Sequence, residues 1–287
     1  MPDLWTVERI LSWTITHFTS KRIPDSRLSA ELLLAKVLNM KRIDLYLQFE
    51  RILSSKERDR YRDYVKRRVK REPVQYILGE SEFYGFPFKV DPDVIVPRPE
   101  TELIIDAVLE AVKAHENPSP KILDVGTGSG CIAVSLAKLI PDCSIWAIEM
   151  NPAALKVAIA NADLNEVGIQ FVEGDIFKSN SSLLTKFDIV VSNPPYVSLR
   201  DIHKLEPEVR QFEPKEALFA GEDGLEFYRK FVNVIPSLIN KNGKVFMEIG
   251  YDQATPLDDL FSNADFKVQI KKDYNQIDRI MILERNN

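Results

Sequence analysis

Two short stretches of this chain carry residue types that could do chemistry. The first is "FDIVVSNPPYVS", residues 187–198, an apolar run that ends in two consecutive prolines flanked by Asn193 and Tyr196. Neither Pro194 nor Pro195 has a backbone N–H, and each disfavours helical geometry at the residue before it. Residues 192–196 are therefore expected to form a stiff, extended turn whose carbonyls point outward. Such a turn accepts hydrogen bonds and donates few, and the Asn193 side-chain oxygen adds another acceptor. A strand terminator would use the same residue types, so the meaning of this turn depends on what surrounds it.

The second stretch is "DVGTGSG", residues 124–130, followed at once by the helical pattern "CIAVSLAKLI". Gly126, Gly128 and Gly130 allow a tight strand-to-helix turn, and with Thr127 and Ser129 they form a loop that a ligand can approach without meeting a Cβ. A glycine turn alone also serves as a plain connection. The next strand, however, ends at Glu149, 19 residues after Gly130, where a carboxylate can accept bonds from both hydroxyls of a ribose. The third strand is followed by "EGDIF". Asp175 there could accept from an adenine amino group while Ile176 or Phe177 covers the ring. Together these strand ends describe an adenosine site. The spacing G-x-G-x-G lacks the third-position offset that seats a pyrophosphate on a helix, and the P-loop Gly-Lys-Ser/Thr is absent. A cofactor without phosphate suits the turn, S-adenosyl-L-methionine being one, with a carboxyl such as that of Asp124 to attract its ammonium.

Elements of a particular kind must hold these residues. From Lys121 onward, the strand candidates "KILDVG", "SIWAIEM", "IQFVEG", "FDIVVS" and "KVFMEIG" alternate with helical or loop segments, and "FKVQIKK" and "RIMILER" follow close together. This order predicts an α/β fold, a doubly wound parallel sheet with an antiparallel hairpin at its C-terminal edge, whose ligands lie beyond the carboxyl ends of the strands. Ahead of it, "LWTVERILSWTITHF", "DSRLSAELLLAKVL" and "SSKERDRYRDYVKRRVK" have apolar residues at helical spacing. The last opens with Ser54 and Glu57 in capping-box register and sets Tyr61, Val65 and Val69 on one face. A small helical bundle is expected there. "SEFYGFPFKV" and "DVIVP" then suggest a hairpin linker, and "ETELIIDAVLEAVKAH" a helix leading into the main domain.

Composition narrows the function classes. With 287 residues, 45% hydrophobic and 28% charged, the chain can bury a large core. The N-terminus has no signal-peptide apolar region and no stretch is long and apolar enough to span a bilayer, which predicts the cytoplasm. Cys131 and Cys143 are too few for a disulfide framework, and His17, His115 and His203 have no metal-ligand spacing, so no metal is expected. Residues 1–75 hold 17 Lys and Arg against 10 Asp and Glu, and the remainder 21 against 33. The basic run Lys66, Arg67, Arg68, Lys70 and Arg71 is read as a solvated helix face, with an acidic partner or RNA backbone as the alternative. The net acidity of the larger part, −12, opposes a phosphate backbone as substrate.

"DVGTGSG", the acidic second-strand end and "SNPPY" together resemble class I methyltransferases that modify a planar exocyclic or amide nitrogen. The wider set "REPVQYILGESEFYGFPFKV", "VIVPRPETELII", "SNPPYVS", "FEPKEALFAGEDGLEFYR" and "MEIGYDQ" resembles the bacterial peptide chain release factor glutamine methyltransferase family in particular. The resemblance implies a Rossmann-like, seven-stranded mixed sheet in residues 98–287, a substrate-recognising helical bundle in residues 1–75 and a β-hairpin linker in residues 76–97. It implies S-adenosyl-L-methionine as donor, S-adenosyl-L-homocysteine as product, and the glutamine of a Gly-Gly-Gln loop in class 1 release factors as acceptor, with no membrane and no stable nucleic-acid partner. Carried over residue by residue, it places Gly126 to Gly130 at the cofactor loop, Glu149 at the ribose, Phe177 beside the adenine and Asn193 between cofactor and acceptor. Glu149 stands where the family commonly has Asp, and Ile176 is aliphatic after "GD".

Amide chemistry explains the proline turn. A carboxamide nitrogen is a poor nucleophile because its lone pair is delocalised into the carbonyl. If the Asn193 side-chain oxygen and the Pro194 carbonyl each accept one of its N–H groups, they orient it and favour pyramidalisation, and stiff prolines make that arrangement cheap to hold. Tyr196 could pack its ring on the amide plane and exclude water. Arg98, Glu100 and Glu102 could border the site or form structural ion pairs. Glu213 and Pro214 could belong to a lid or to a plain loop, and Cys131 reads as packing. Competing functions are an amino-methyltransferase acting on a nucleic acid base, a glutamine methyltransferase of a ribosomal protein, and an adenosine-sensing module without catalysis.

Overall fold

A computed structural model describes residues 4–113, 119–178 and 185–286. Two compact units divide the chain: residues 1–79 with 206–212, and residues 80–205 with 213–287.

The first unit is helical: α1 (Val7–Ser20), α2 (Ser26–Leu38), α3 (Arg42–Leu47), α4 (Ser55–Val69) and α5 (Val74–Leu78). The capping box forms as expected. The Glu57 N–H lies 3.3 Å from Ser54 Oγ, and Glu57 Oε2 accepts from the Ser54 N–H at 2.8 Å. Tyr61 and Val65 enter a core with Phe18, Leu33 and Leu34, and the buried Tyr61 hydroxyl donates to the Ala30 carbonyl. The basic run departs from a solvated face. Arg68 is buried and donates to Glu208 Oε1 at 2.9 Å, joined there by Arg71 at 3.1 Å, while Lys66 faces Asp63 and Arg67 pairs with Glu72. Burial opposes ionisation of Glu208, but the bonds from Arg68 and Arg71 outweigh it and hold its pKa below the usual range. Acidic neighbours within the chain thus occupy most of the run.

The second unit opens with the hairpin β1 (Glu80–Phe83) and β2 (Phe86–Lys89), which pair antiparallel. "DVIVP" forms no strand. After the hairpin come α6 (Glu102–Lys113), β3 (Lys121–Val125), α7 (Cys131–Leu139), β4 (Ser144–Glu149), α8 (Pro152–Leu164), β5 (Gln170–Glu173) and β6 (Phe187–Ser192). The expected end of α6 at His115 lies outside the described residues, as does that histidine. The chain then contributes the short helix α9 (Pro207–Phe212) to the first unit and returns for α10 (Glu226–Leu238), β7 (Ile239–Glu248), α11 (Ala254–Ser262), β8 (Phe266–Lys272) and β9 (Asp278–Arg285). Strand β7 begins five residues before the apolar run that signalled it. Its polar start, "INKNG", pairs only at Ile239 before the register shifts.

The seven strands take the order β5-β4-β3-β6-β7-β9-β8, parallel except for β9, which runs against both β7 and β8. Successive residues face opposite sides, so the near-continuous apolar runs feed two cores. Ile122, Ile189, Val191 and Phe246 pack with α6 and α7, whereas Leu123, Val190, Val245 and Met247 pack with α10 and α11. The strand order reverses between β3 and β6, and the crevice beyond their carboxyl ends is where such a sheet can take a ligand. Among the described residues no helix is long and apolar enough to cross a membrane, and no group of His, Cys, Asp and Glu is placed to hold a metal ion.

Candidate active site

At that crevice the glycine turn leaving β3 and the proline turn leaving β6 stand side by side, because Asp124 pairs with Val191 in parallel register. Ser192 is buried and donates through Oγ to the Val125 carbonyl at 2.8 Å, tying the two strand ends. A cavity of about 560 Å³ opens beyond them. Its walls include Gly126, Gly128, Glu149, Asp175, Phe177, Asn193, Pro194 and Pro195. The structure thus brings these eight expected residues to one cavity.

Thr127, Ser129, Gly130 and Tyr196 are not among the wall residues; they hold the turns. The Thr127 hydroxyl donates to Asp124 Oδ2 at 2.6 Å, and the Ser129 carbonyl accepts from Asn161 Nδ2 at 2.8 Å. Gly130 starts α7 at φ +79°, and a Cβ there would meet the Cα and Cβ of Ala158 in α8 at 3.2–3.3 Å, so the third glycine serves close helix packing. Asp124 lies wholly inside, where burial pushes its pKa up to about 7 against the pull of the Thr127 bond. It too is absent from the cavity wall.

Glu149 is preorganised by main-chain N–H groups of the glycine turn and of the residues that follow its strand. Its Oε2 accepts from the Gly128 N–H and its Oε1 from the Asn151 N–H, each at 2.9 Å. The carboxylate is thereby locked at the cavity wall with lone pairs to spare. Beside it, Phe177 meets Phe227 edge-on with ring centroids 5.2 Å apart, and the Lys230 ammonium sits 5.9 Å from the Phe177 ring centre. Asp175 Oδ1 accepts from the Phe177 N–H at 3.0 Å, which closes the turn after β5.

On the other side the proline turn is braced by side chains from distant segments. Asn193 Nδ2 donates to Thr101 Oγ1 at 3.0 Å, and Thr101 Oγ1 donates to Glu248 Oε2 at 2.6 Å. The Tyr196 hydroxyl donates to Glu248 Oε1 at 2.9 Å, while its ring packs against the α10 and α11 core. Gln253 donates through Nε2 to the carbonyls of Tyr196 and Gly224, at 3.0 and 3.1 Å. Burial raises the pKa of Glu248, with the hydroxyl bonds opposing.

Arg98 pairs with Glu213 at 2.5 Å, and the Glu213 side chain is 1% exposed. This pair fastens the segment holding Asp93–Ile95 to the segment beginning at Pro214, both of which line the cavity. Glu102 accepts from the Tyr84 N–H at 2.7 Å and so braces the hairpin turn instead of the cavity. Thr101, Phe227, Glu248 and Gln253 escaped the sequence reading of the site. Glu248 did leave a signal: it is the one charged residue within "VFMEIG".

Comparison with known proteins bears on the family and the fold. Residues 9–79 match the PrmC N-terminal domain family, and residues 101–208 match the methyltransferase small domain family. The release factor glutamine methyltransferase of Geobacter sulfurreducens is 39% identical across 98% of this chain and 97% of its own length. That of Chlorobaculum tepidum is 42% identical across 97% of this chain and 98% of its own. Among solved structures, a methyltransferase from Pyrococcus furiosus is similar with a TM-score of 0.51, at 19% identity over 70% of this chain and 89% of that one, a likeness of fold.

Proposed function

This chain belongs to the release factor glutamine methyltransferase family, and from that premise we propose that it transfers a methyl group to the side-chain amide nitrogen of the glutamine in the Gly-Gly-Gln loop of class 1 release factors. The observation that carries this reading is the meeting of an acceptor-only turn, Asn193-Pro194-Pro195, with a glycine loop and the locked carboxylate of Glu149 in one cavity.

The cavity fits S-adenosyl-L-methionine. Glu149 faces it with acceptor capacity for a ribose diol, Ile176, Phe177 and Phe227 supply an apolar slab for an adenine, and Asp175 adds a carboxylate. Gly126 turns at φ +70°, and a Cβ built on it meets no protein atom within 4 Å, leaving main chain bare for close approach. When bound, this cofactor supplies an electrophilic methyl group on a sulfonium and departs as S-adenosyl-L-homocysteine.

The chain's own contribution is positional and electrostatic. The Asn193 Oδ1 and the Pro194 carbonyl can each accept one N–H of a primary amide, fixing its plane and drawing density towards its nitrogen. Proline stiffness and the bond from Gln253 to the Tyr196 carbonyl keep these acceptors in place before the substrate arrives. The proton lost from the nitrogen passes to solvent, so no residue need act as a strong base. We assign substrate recognition to the helical bundle of residues 1–75, with residues 76–97 as its link to the catalytic part.

A methyl-transfer assay with labelled S-adenosyl-L-methionine tests the proposal, offering a release factor, its Gln-to-Ala loop variant, a ribosomal protein and DNA side by side. Label on the intact release factor alone is expected. Asn193→Ala should abolish turnover while leaving cofactor affinity within about tenfold, roughly 1.4 kcal/mol. Equal labelling of the loop variant, or normal turnover by Asn193→Ala, overturns the assignment.

A further inference from the structure

We propose that Glu248, acting through Thr101, is a positioning residue that decides which end of the Asn193 carboxamide faces the acceptor, an inference that rests on the amide-methylation reading above. Neither Thr101 nor Glu248 lines the cavity, and both are 1% exposed. They cannot bind substrate directly. Yet the Asn193 side chain ends on the Thr101 hydroxyl, and that hydroxyl ends on the Glu248 carboxylate.

Proton counting along this chain fixes the orientation. Both Glu248 oxygens accept hydroxyl protons, the arrangement of an ionised carboxylate, which only accepts, and a threonine hydroxyl has a single proton to give. Glu248 takes that proton through Oε2, so Thr101 can offer Asn193 only a lone pair. Asn193 must then present its Nδ2 to Thr101 and keep Oδ1 for a donor on the substrate side. A carboxamide turned the other way would aim two N–H groups at an amide that also donates, and no bond would form. The second oxygen of Glu248 is held by the Tyr196 hydroxyl, and its main-chain carbonyl by the Tyr228 hydroxyl at 2.7 Å. One carboxylate thereby orders both the residue before the proline pair and the residue after it.

Energetics argue that this arrangement is retained for a reason. Thr101 and Tyr196, the partners that bond the Glu248 side chain, are both neutral, and the Arg279 cation favours its charged form only from a distance, so that burial still raises its pKa. A buried carboxylate held by hydroxyls is costly compared with an apolar residue of the same volume. Orientation of Asn193 is the return that the geometry offers.

The experiment compares Thr101→Val, Thr101→Ser and Glu248→Gln with the wild type for cofactor affinity by calorimetry and for kcat and KM with a release factor. Thr101→Val keeps the shape and removes the lone pair. Glu248→Gln replaces one acceptor with a donor, so that Thr101 or Tyr196 must turn its own proton elsewhere. Both should lower kcat by roughly 10- to 100-fold with cofactor affinity within about threefold, and Thr101→Ser should restore kcat to within about threefold. Should Glu248→Gln not fold, the Thr101 pair still decides the matter. Wild-type kcat in Thr101→Val, an equal loss in Thr101→Ser, or a loss confined to cofactor binding each overturns the proposal. If the wild type itself does not label the release factor, the functional reading fails instead, and the two failures are told apart.

Discussion

Gly224 offers a perturbation whose size can be worked from distances. It turns at φ +77°, and a Cβ placed on it would lie 2.3 Å from the Tyr196 carbonyl oxygen and 2.7 Å from Gln253 Nε2. Gly85, at the same φ of +77° in the hairpin turn of the same unit, has no atom within 4 Å of such a Cβ. Gly85→Ala should therefore show the cost of left-handed backbone alone, about 1 kcal/mol. Gly224→Ala adds overpacking of about 1–3 kcal/mol and the weakening of the two Gln253 bonds at about 1 kcal/mol each. A total of about 4–6 kcal/mol follows. The carbonyl that must yield belongs to Tyr196, two residues after Pro194, so the acceptor turn should shift by a sizeable fraction of an ångström. Misplacement on that scale lowers turnover by up to about 100-fold. Urea denaturation of both variants, followed by the methyl-transfer assay under conditions where each is folded, measures the two effects. If Gly224→Ala matches Gly85→Ala within about 1 kcal/mol and turns over normally, then the contact between residue 224 and the proline turn does not shape the site.

Three other substitutions probe separate parts of the second unit. Glu149→Gln must aim its amide donors at either the Gly128 or the Asn151 N–H, and calorimetry should show cofactor affinity reduced at least about tenfold, with unchanged affinity refuting the locked-carboxylate role. Arg98→Leu leaves the buried Glu213 carboxylate without its partner; the loss should be about 3 kcal/mol, near the low end for a broken buried pair because Arg98 is about one-third exposed, and larger at pH 8 than at pH 5, since protonation relieves the stranded charge. Asp124 is expected to carry a pH signature: its native pKa of about 7 exceeds its ordinary value of 3.8, so between those limits the unfolded chain releases its proton first and stability falls as pH rises. Asp124→Asn should remove that slope, and denaturation curves from pH 4 to 8 that keep the wild-type slope would contradict it.

Much of the fold was legible because its causes are local. Ser54 and Glu57 cap a helix within one turn of chain, and the apolar runs ending at Val125, Glu149 and Ser192 announce buried parallel strands by composition alone. The glycine and proline turns were readable for the same reason: φ freedom at Gly126 and its restriction at Pro194 are properties of single residues. Where sequence reading erred, the missing fact was a distant partner. Arg68 looked like one more cation on a solvated face until Glu208, 140 positions away, was found bonded to it. "DVIVP" had the alternation of a strand, but no neighbouring strand offers it a ladder, and Asp93–Ile95 form cavity wall.

By itself, then, the order of residues determined the seven-stranded sheet, a carboxylate at the end of the strand that closes on Glu149 and the acceptor-rich turn at Asn193-Pro194, since each follows from periodicity or from backbone limits within a few residues. Tertiary structure alone decided how that turn is aimed. Thr101, the turn that holds Asn193 and Tyr196, and Glu248 come from three separated segments, and a hydrogen bond between side chains leaves no trace in sequence until folding sets its ends within 3 Å. Their residue types are commonplace; only the burial of a carboxylate among hydroxyls turns them into a device with one proton arrangement.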